Sequence, residues 1–393
     1  MVGARGDRER VADLAVDRAR HELMLEVIGS DADAVTEVET AQGMLLQEAK
    51  PDLLALLHIA VYQGELIERN ASLPVGLPAV WARLGHRVKA HALARAVSSP
   101  GYRAEALVTL LRVDPGAGGD LLQQAEDAAQ AVDWLDRRSQ ALGLVSQAAR
   151  DLGEPAIADR LYGDAIAGAR RLEDPTERSM TLAQLIPAAG DEQGLLLQET
   201  EAALTQVRNA CDRVRTLAAT AAVCFRTGNN DRGLALMEQA SSIEVKGPYL
   251  RSAADCALST AWTAGGTLDR AEDVLDGIQE PGYYDTALAA LIDAVATSDP
   301  ARARNLIDKA RQPRGQAACY TAFARALADS SEYDEAIELA GQAERRAIRR
   351  VPSPACQEHR GPRHRGRHRP ERSCACQWPG RQLPGPARRV RQP

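Results

Sequence analysis

The sequence predicts an all-α protein: an α-α superhelix, or solenoid, of antiparallel helix pairs. Three observations predict it. First, motifs that open a helix recur. They are Pro100-Gly101-Tyr102-Arg103, Pro175-Thr176-Glu177-Arg178, Pro248-Tyr249-Leu250-Arg251, Pro281-Gly282-Tyr283-Tyr284 and Pro313-Arg314-Gly315-Gln316, while Leu135-Asp136-Arg137-Arg138 and Asp212-Arg213-Val214-Arg215 keep the place without proline. Second, the fourth residues of successive motifs lie 35, 40, 37, 36, 33 and 32 positions apart, room for two helices per unit. Third, aromatic residues are 4% of a chain that is 45% apolar, so the core must be Ala, Leu and Val, small enough for helices to approach closely. No such pair buries its apolar face alone. Stacked neighbours make the core.

The elements follow in order. Residues 1–75 form an N-terminal helical segment outside the repeat, with helical spacing over 8–28, 31–48 and 52–70. Pro74 and Pro78 break the chain, and the repeats run over 76–350 with a leading half unit. In the second helix of each unit a small residue is followed by apolar ones three and seven later and by proline at ten. Ala90, Leu93, Val97 and Pro100 fit, as do Ala271, Val274, Ile278 and Pro281, and Ala303, Leu306, Ala310 and Pro313. That spacing keeps one face apolar, and the proline, which lacks an N–H, stops the helix. Between the two helices of a unit, Gly153, Gly228, Gly265-Gly266 and Ser330-Ser331 mark a turn. Asp299 and its equivalents suit the cap that starts the next helix.

These units resemble tetratricopeptide (TPR) repeats in their helix–turn–helix order, the small residue opening the second helix and the proline before the next unit. They are also similar to the irregular repeats that follow the NTPase module in some bacterial STAND signalling proteins. The aromatic positions of the first TPR helix are mostly Leu, Ala and Val here, and the period wanders. The resemblance implies a right-handed superhelix that binds a protein or peptide on its concave face, lined by the first helix of each unit. It implies a non-catalytic scaffold, the sensor part of a larger bacterial signalling protein.

The chemistry that is missing agrees with a scaffold. No Gly-Lys pair exists, so there is no Walker A loop, and no H-E-x-x-H, G-x-S-x-G or C-x-x-C pair occurs. We expect no enzyme, no cofactor and no metal. Net charge is −6, and residues 351–393 alone carry ten Arg and two Glu, so the body is acidic and offers no basic face for nucleic acid. There is no apolar leader and no membrane-spanning run, so the expected location is cytoplasmic. Four Lys against abundant Arg and Ala point to a GC-rich bacterial genome. Cys211, Cys224, Cys256 and Cys319 lie singly and read as small buried hydrophobes.

Two rows decide what the array could read. Arg103, Arg138, Arg178, Arg215 and Arg251 recur at one place, where a guanidinium suits the carbonyls ending the previous helix. The rows four and seven residues later are uniformly apolar or small. The row nine residues later changes at every unit: Arg112, Gln147, Pro187, Cys224, Thr260, Asp293 and Arg325. A row that packing leaves free is where a solenoid reads a partner, although an ordinary solvated row has the same pattern.

Residues 351–393 hold eight Pro, ten Arg and no Lys, Asp, Ile, Met or Phe, and no periodicity survives there. A zinc site, a basic disordered arm for nucleic acid and a frame-shifted reading of another repeat compete. The abrupt change in composition favours the third, and the basic arm is the alternative function. A garbled next repeat implies that the last helix exposes Ile337, Leu339 and Ala340 and self-associates through them.

Overall fold

The computed structural model describes residues 31–47, 52–70 and 72–347, so the tail and the first thirty residues lie outside the described part. Every regular element among the described residues is helical, and none is a strand. The N-terminal segment contributes α1 (Asp31–Leu46) and α2 (Leu53–Asn70). Eight pairs follow. They are α3 (Leu77–Arg83) with α4 (Arg87–Ala96), α5 (Pro100–Val113) with α6 (Gly118–Gln130), α7 (Leu135–Asp151) with α8 (Pro155–Arg170), and α9 (Pro175–Leu185) with α10 (Gln193–Leu204). The rest are α11 (Ala210–Arg226) with α12 (Asn230–Ser241), α13 (Pro248–Ala264) with α14 (Leu268–Asp276), α15 (Pro281–Val295) with α16 (Pro300–Ile307), and α17 (Pro313–Asp329) with α18 (Tyr333–Ala347).

Local chemistry sets these limits. Proline occupies the first turn of α5, α8, α9, α13, α15, α16 and α17, where its missing N–H costs nothing. Asp174, Asn209 and Asp299 cap α9, α11 and α16 through their side chains. Gly153 and Gly228 end α7 and α11 with φ of 79° and 80°, which lets Glu154 N donate to Ala149 O at 2.9 Å and Asn229 N to Cys224 O at 2.8 Å. Ser331 takes the same left-handed place after α17, with φ 66°.

Packing then orders the pairs. Each odd-numbered helix of the repeats packs on the odd-numbered helices before and after it, whereas successive even-numbered helices make no comparable contact. The odd helices therefore form the inner layer and the even ones the outer. Small residues allow this: Gly143 of α7 faces Leu185, and a Cβ there would overlap that side chain.

The series closes. α3 packs against α17 and α18, so the first pair meets the last. Arg83 Nε donates to Asp329 Oδ1 at 2.7 Å, Lys89 Nζ lies 2.7 Å from Glu344 Oε2, and the same ammonium sits 3.9 Å from the centre of the Trp81 ring. An open superhelix would part its ends, so that expectation is corrected to a ring of eight pairs. With axes about 8–10 Å apart, eight inner helices set on a circle would leave a central opening about 10–15 Å wide. Closure also corrects the expected apolar end of α18. Leu339 and Ala340 are buried, and Ile337 is 38% exposed.

The Arg row is structural in its first three units. Arg103 Nε donates to Val97 O at 2.8 Å, Arg138 Nε to Val132 O at 2.7 Å, and Arg178 Nη1 to Leu172 O at 3.2 Å. Each ties the start of an inner helix to the carbonyl six residues back. In the last unit Gln316 Nε2 does the same to Ala310 O at 3.3 Å. Where Tyr284 stands, Arg311 of the following loop lies 3.6 Å from the Tyr284 ring centre and donates to Ile278 O at 2.9 Å. Changing Arg178 to Ala is expected to cost about 0.5–2 kcal/mol in a denaturant titration. Arg251 makes no such bond, so Arg251→Ala should cost less.

Candidate functional site

A walled concavity arises from a defect in the ring. α3 has 7 residues, against 17 in α7, α11, α13 and α17. Pro74 and Pro78 forbid its first half, and residues 72–76 cross the gap as a turn. The missing turns leave a cavity of about 560 Å³ between α5 on one flank and α15 and α17 on the other. This volume is in the range of small-ligand sites.

Its walls mix small apolar and ionisable groups. Ala289, Ala290, Ala318 and Ala322 make the smooth side. Asp293 of α15 pairs with Arg325 Nη2 of α17. Arg314 lies exposed in the lining of the same flank. On α5, Tyr102 and Glu105 face the cavity at i, i+3 spacing, one helical face. Burial pushes the Glu105 carboxyl above the usual carboxylate range, and among the described residues nothing hydrogen-bonds to it or pairs with it.

The variable row scatters when placed. Asp293 and Arg325 come together in the cavity. Arg112 leaves it for Asp151, at 3.8 Å across to α7. Gln147, Pro187 and Thr260 are half-buried, and the Thr260 hydroxyl is spent on Cys256 O at 2.8 Å. Cys224 is buried at 2% exposure. Its inclusion is corrected by the cap of α11. Asn209 starts that helix, and Arg213 N bonds Asn209 O as Arg138 N bonds Trp134 O. Arg213, not Arg215, therefore stands in the first-turn place, and Ala222 in the ninth.

Tyr102, Glu105 and Arg314 were not in the variable row. Glu105 sits two residues after Arg103, beside rows that read as core. Its signal was a carboxylate between Ala104 and Ala106, both buried, next to a leading half unit that could not fill its place.

Other chemistry is limited. The cysteine thiols are raised by burial, Cys256 to about 11 and Cys319 to about 12, as inert core residues would be. Among the described residues no group of His, Cys, Asp and Glu could hold a metal ion, and no helix is long and apolar enough to cross a membrane. A second cavity of about 400 Å³ lies beside α13, lined by Arg251 and Asp255, whose carboxyl is raised by burial and pulled back by Arg251.

No family model matches the chain, and no curated protein matches it. Among solved structures it is similar to the crystal structure of Ton1535 from Thermococcus onnurineus NA1, at 12% identity and a TM-score of 0.27, over 81% of this chain and 99% of that one.

Proposed function

We propose that this is a non-catalytic binding protein, a cytoplasmic scaffold of TPR-like pairs that takes a peptide segment of a partner into the channel lined by its inner helices. One observation carries the reading: a cavity within the inner layer, walled by alanines, that contains the Glu105 carboxyl, which has no partner among the described residues. Packing alone gives no reason for such a carboxyl, because withdrawing it even partly from water without a partner is unfavourable. The ring alters what the resemblance implies. A partner cannot lie across an open groove and must enter end-on as an extended chain. Being the sensor half of a larger signalling protein fits this reading.

The test is an array of unstructured peptides probed with the full chain. A subset should bind, and Ala290→Trp, which fills the cavity, should abolish that binding while the circular dichroism spectrum stays helical. Peptides that bind Ala290→Trp as well as the original would place recognition elsewhere and overturn the reading.

A further inference from the structure

Glu105 points to the kind of ligand this cavity would suit. Of the ionisable groups lining it, Arg325 and Asp293 satisfy each other, and Arg314 is exposed, its charge spread into water. Glu105 alone is half-buried and without a hydrogen bond or counter-charge among the described residues. A carboxylate in that position gains most from a cation brought by a ligand, since the pair forms where water screens it least. Tyr102, one turn earlier on the same face, adds an aromatic surface of the kind that covers an ammonium or guanidinium group. Ala289, Ala290, Ala318 and Ala322 offer an apolar track for an alkyl stem.

Resting on the binding role argued above, we propose that this cavity binds an ammonium or guanidinium group on an apolar stem, paired with Glu105 and covered by Tyr102. A lysine or arginine side chain of a peptide and a free alkylamine share this chemistry.

Calorimetry on the full chain with n-pentylammonium, n-pentanol and n-pentanoate tests it. Pentylammonium should bind at least about tenfold more tightly than pentanol, and pentanoate should not compete. Glu105→Gln should weaken pentylammonium by about 10–100-fold, the range of a charge-assisted bond in a partly dry site. The melting temperature without ligand should hold or rise, because the amide removes a half-buried carboxylate that has no partner among the described residues. Tyr102→Ala, at an exposed position, gives a second variant and should weaken the amine by roughly threefold or more. A capped Ala-Ala-Lys-Ala-Ala peptide that binds more tightly than the amine identifies a peptide source, and one that binds less tightly a free amine. Equal binding of pentanol and pentylammonium, an undiminished amine affinity in Glu105→Gln, or a preference for pentanoate would each overturn the proposal. The outcomes also separate the two readings. Neutral peptides blocked by Ala290→Trp, with no amine binding, would leave the peptide-binding role standing and remove this inference. Amine binding with no peptide binding would do the reverse.

Discussion

Asp285→Ala should lower the free energy of unfolding by about 2–4 kcal/mol, the cost of leaving two N–H donors without their acceptor. Asp285 is 3% exposed at the start of α15. One carboxylate oxygen accepts from Arg311 N at 2.8 Å and the other from Gln312 N at 2.9 Å, so a single side chain closes the loop that leads into α17. Asn should recover part of this, because its oxygen keeps one bond while its NH₂ faces the other donor. Gly315 of α17 exists for this contact, since a Cβ there would overlap the Asp285 carboxyl and its Cβ. Gly315→Ala should therefore destabilise by a comparable amount. Because the two sites touch, the double variant should cost less than the sum. Urea titrations of the four proteins give the cycle, and an additive result would mean that the two residues are independent.

Removing the last pair should cost about twice the interface loss that an open array would show. In a linear array of units, deleting an end unit removes its own stability and one interface. Here α17 packs on both α15 and α3, so deleting residues 313–393 bares two apolar faces and breaks the Arg83–Asp329 and Lys89–Glu344 pairs. Deleting 351–393 alone is the control. We expect the longer deletion to lose cooperative unfolding and to aggregate, as two uncovered faces would. If it unfolds cooperatively at a slightly lower denaturant midpoint than the control, the ring contributes no more than an open end.

The pairs were legible because they are local. Pro100, Pro175, Pro248, Pro281 and Pro313 each mark a first helical turn through their fixed φ and missing N–H. Gly153 and Gly228 mark the ends of inner helices through a left-handed φ. The Arg row was legible for the same reason, since Arg103, Arg138 and Arg178 reach only six residues back along the chain. The row was misread at Arg215. An Asn cap without a proline starts α11 two residues earlier than the spacing implied.

What the sequence by itself determined is the unit: helix, turn, helix, with an alanine-rich face that needs a neighbour. What only the tertiary structure decided is how many neighbours close the series and what that closure leaves empty. Each junction turns the next pair by a small angle set by side chains of two units. Whether eight such turns return α17 to α3 depends on their sum, which no local spacing encodes. The cavity follows from that sum. α3 is half a helix because of Pro74 and Pro78. The gap becomes a walled site, with Glu105 in its lining and unpaired among the described residues, only because α17 has come round to face α5 across it.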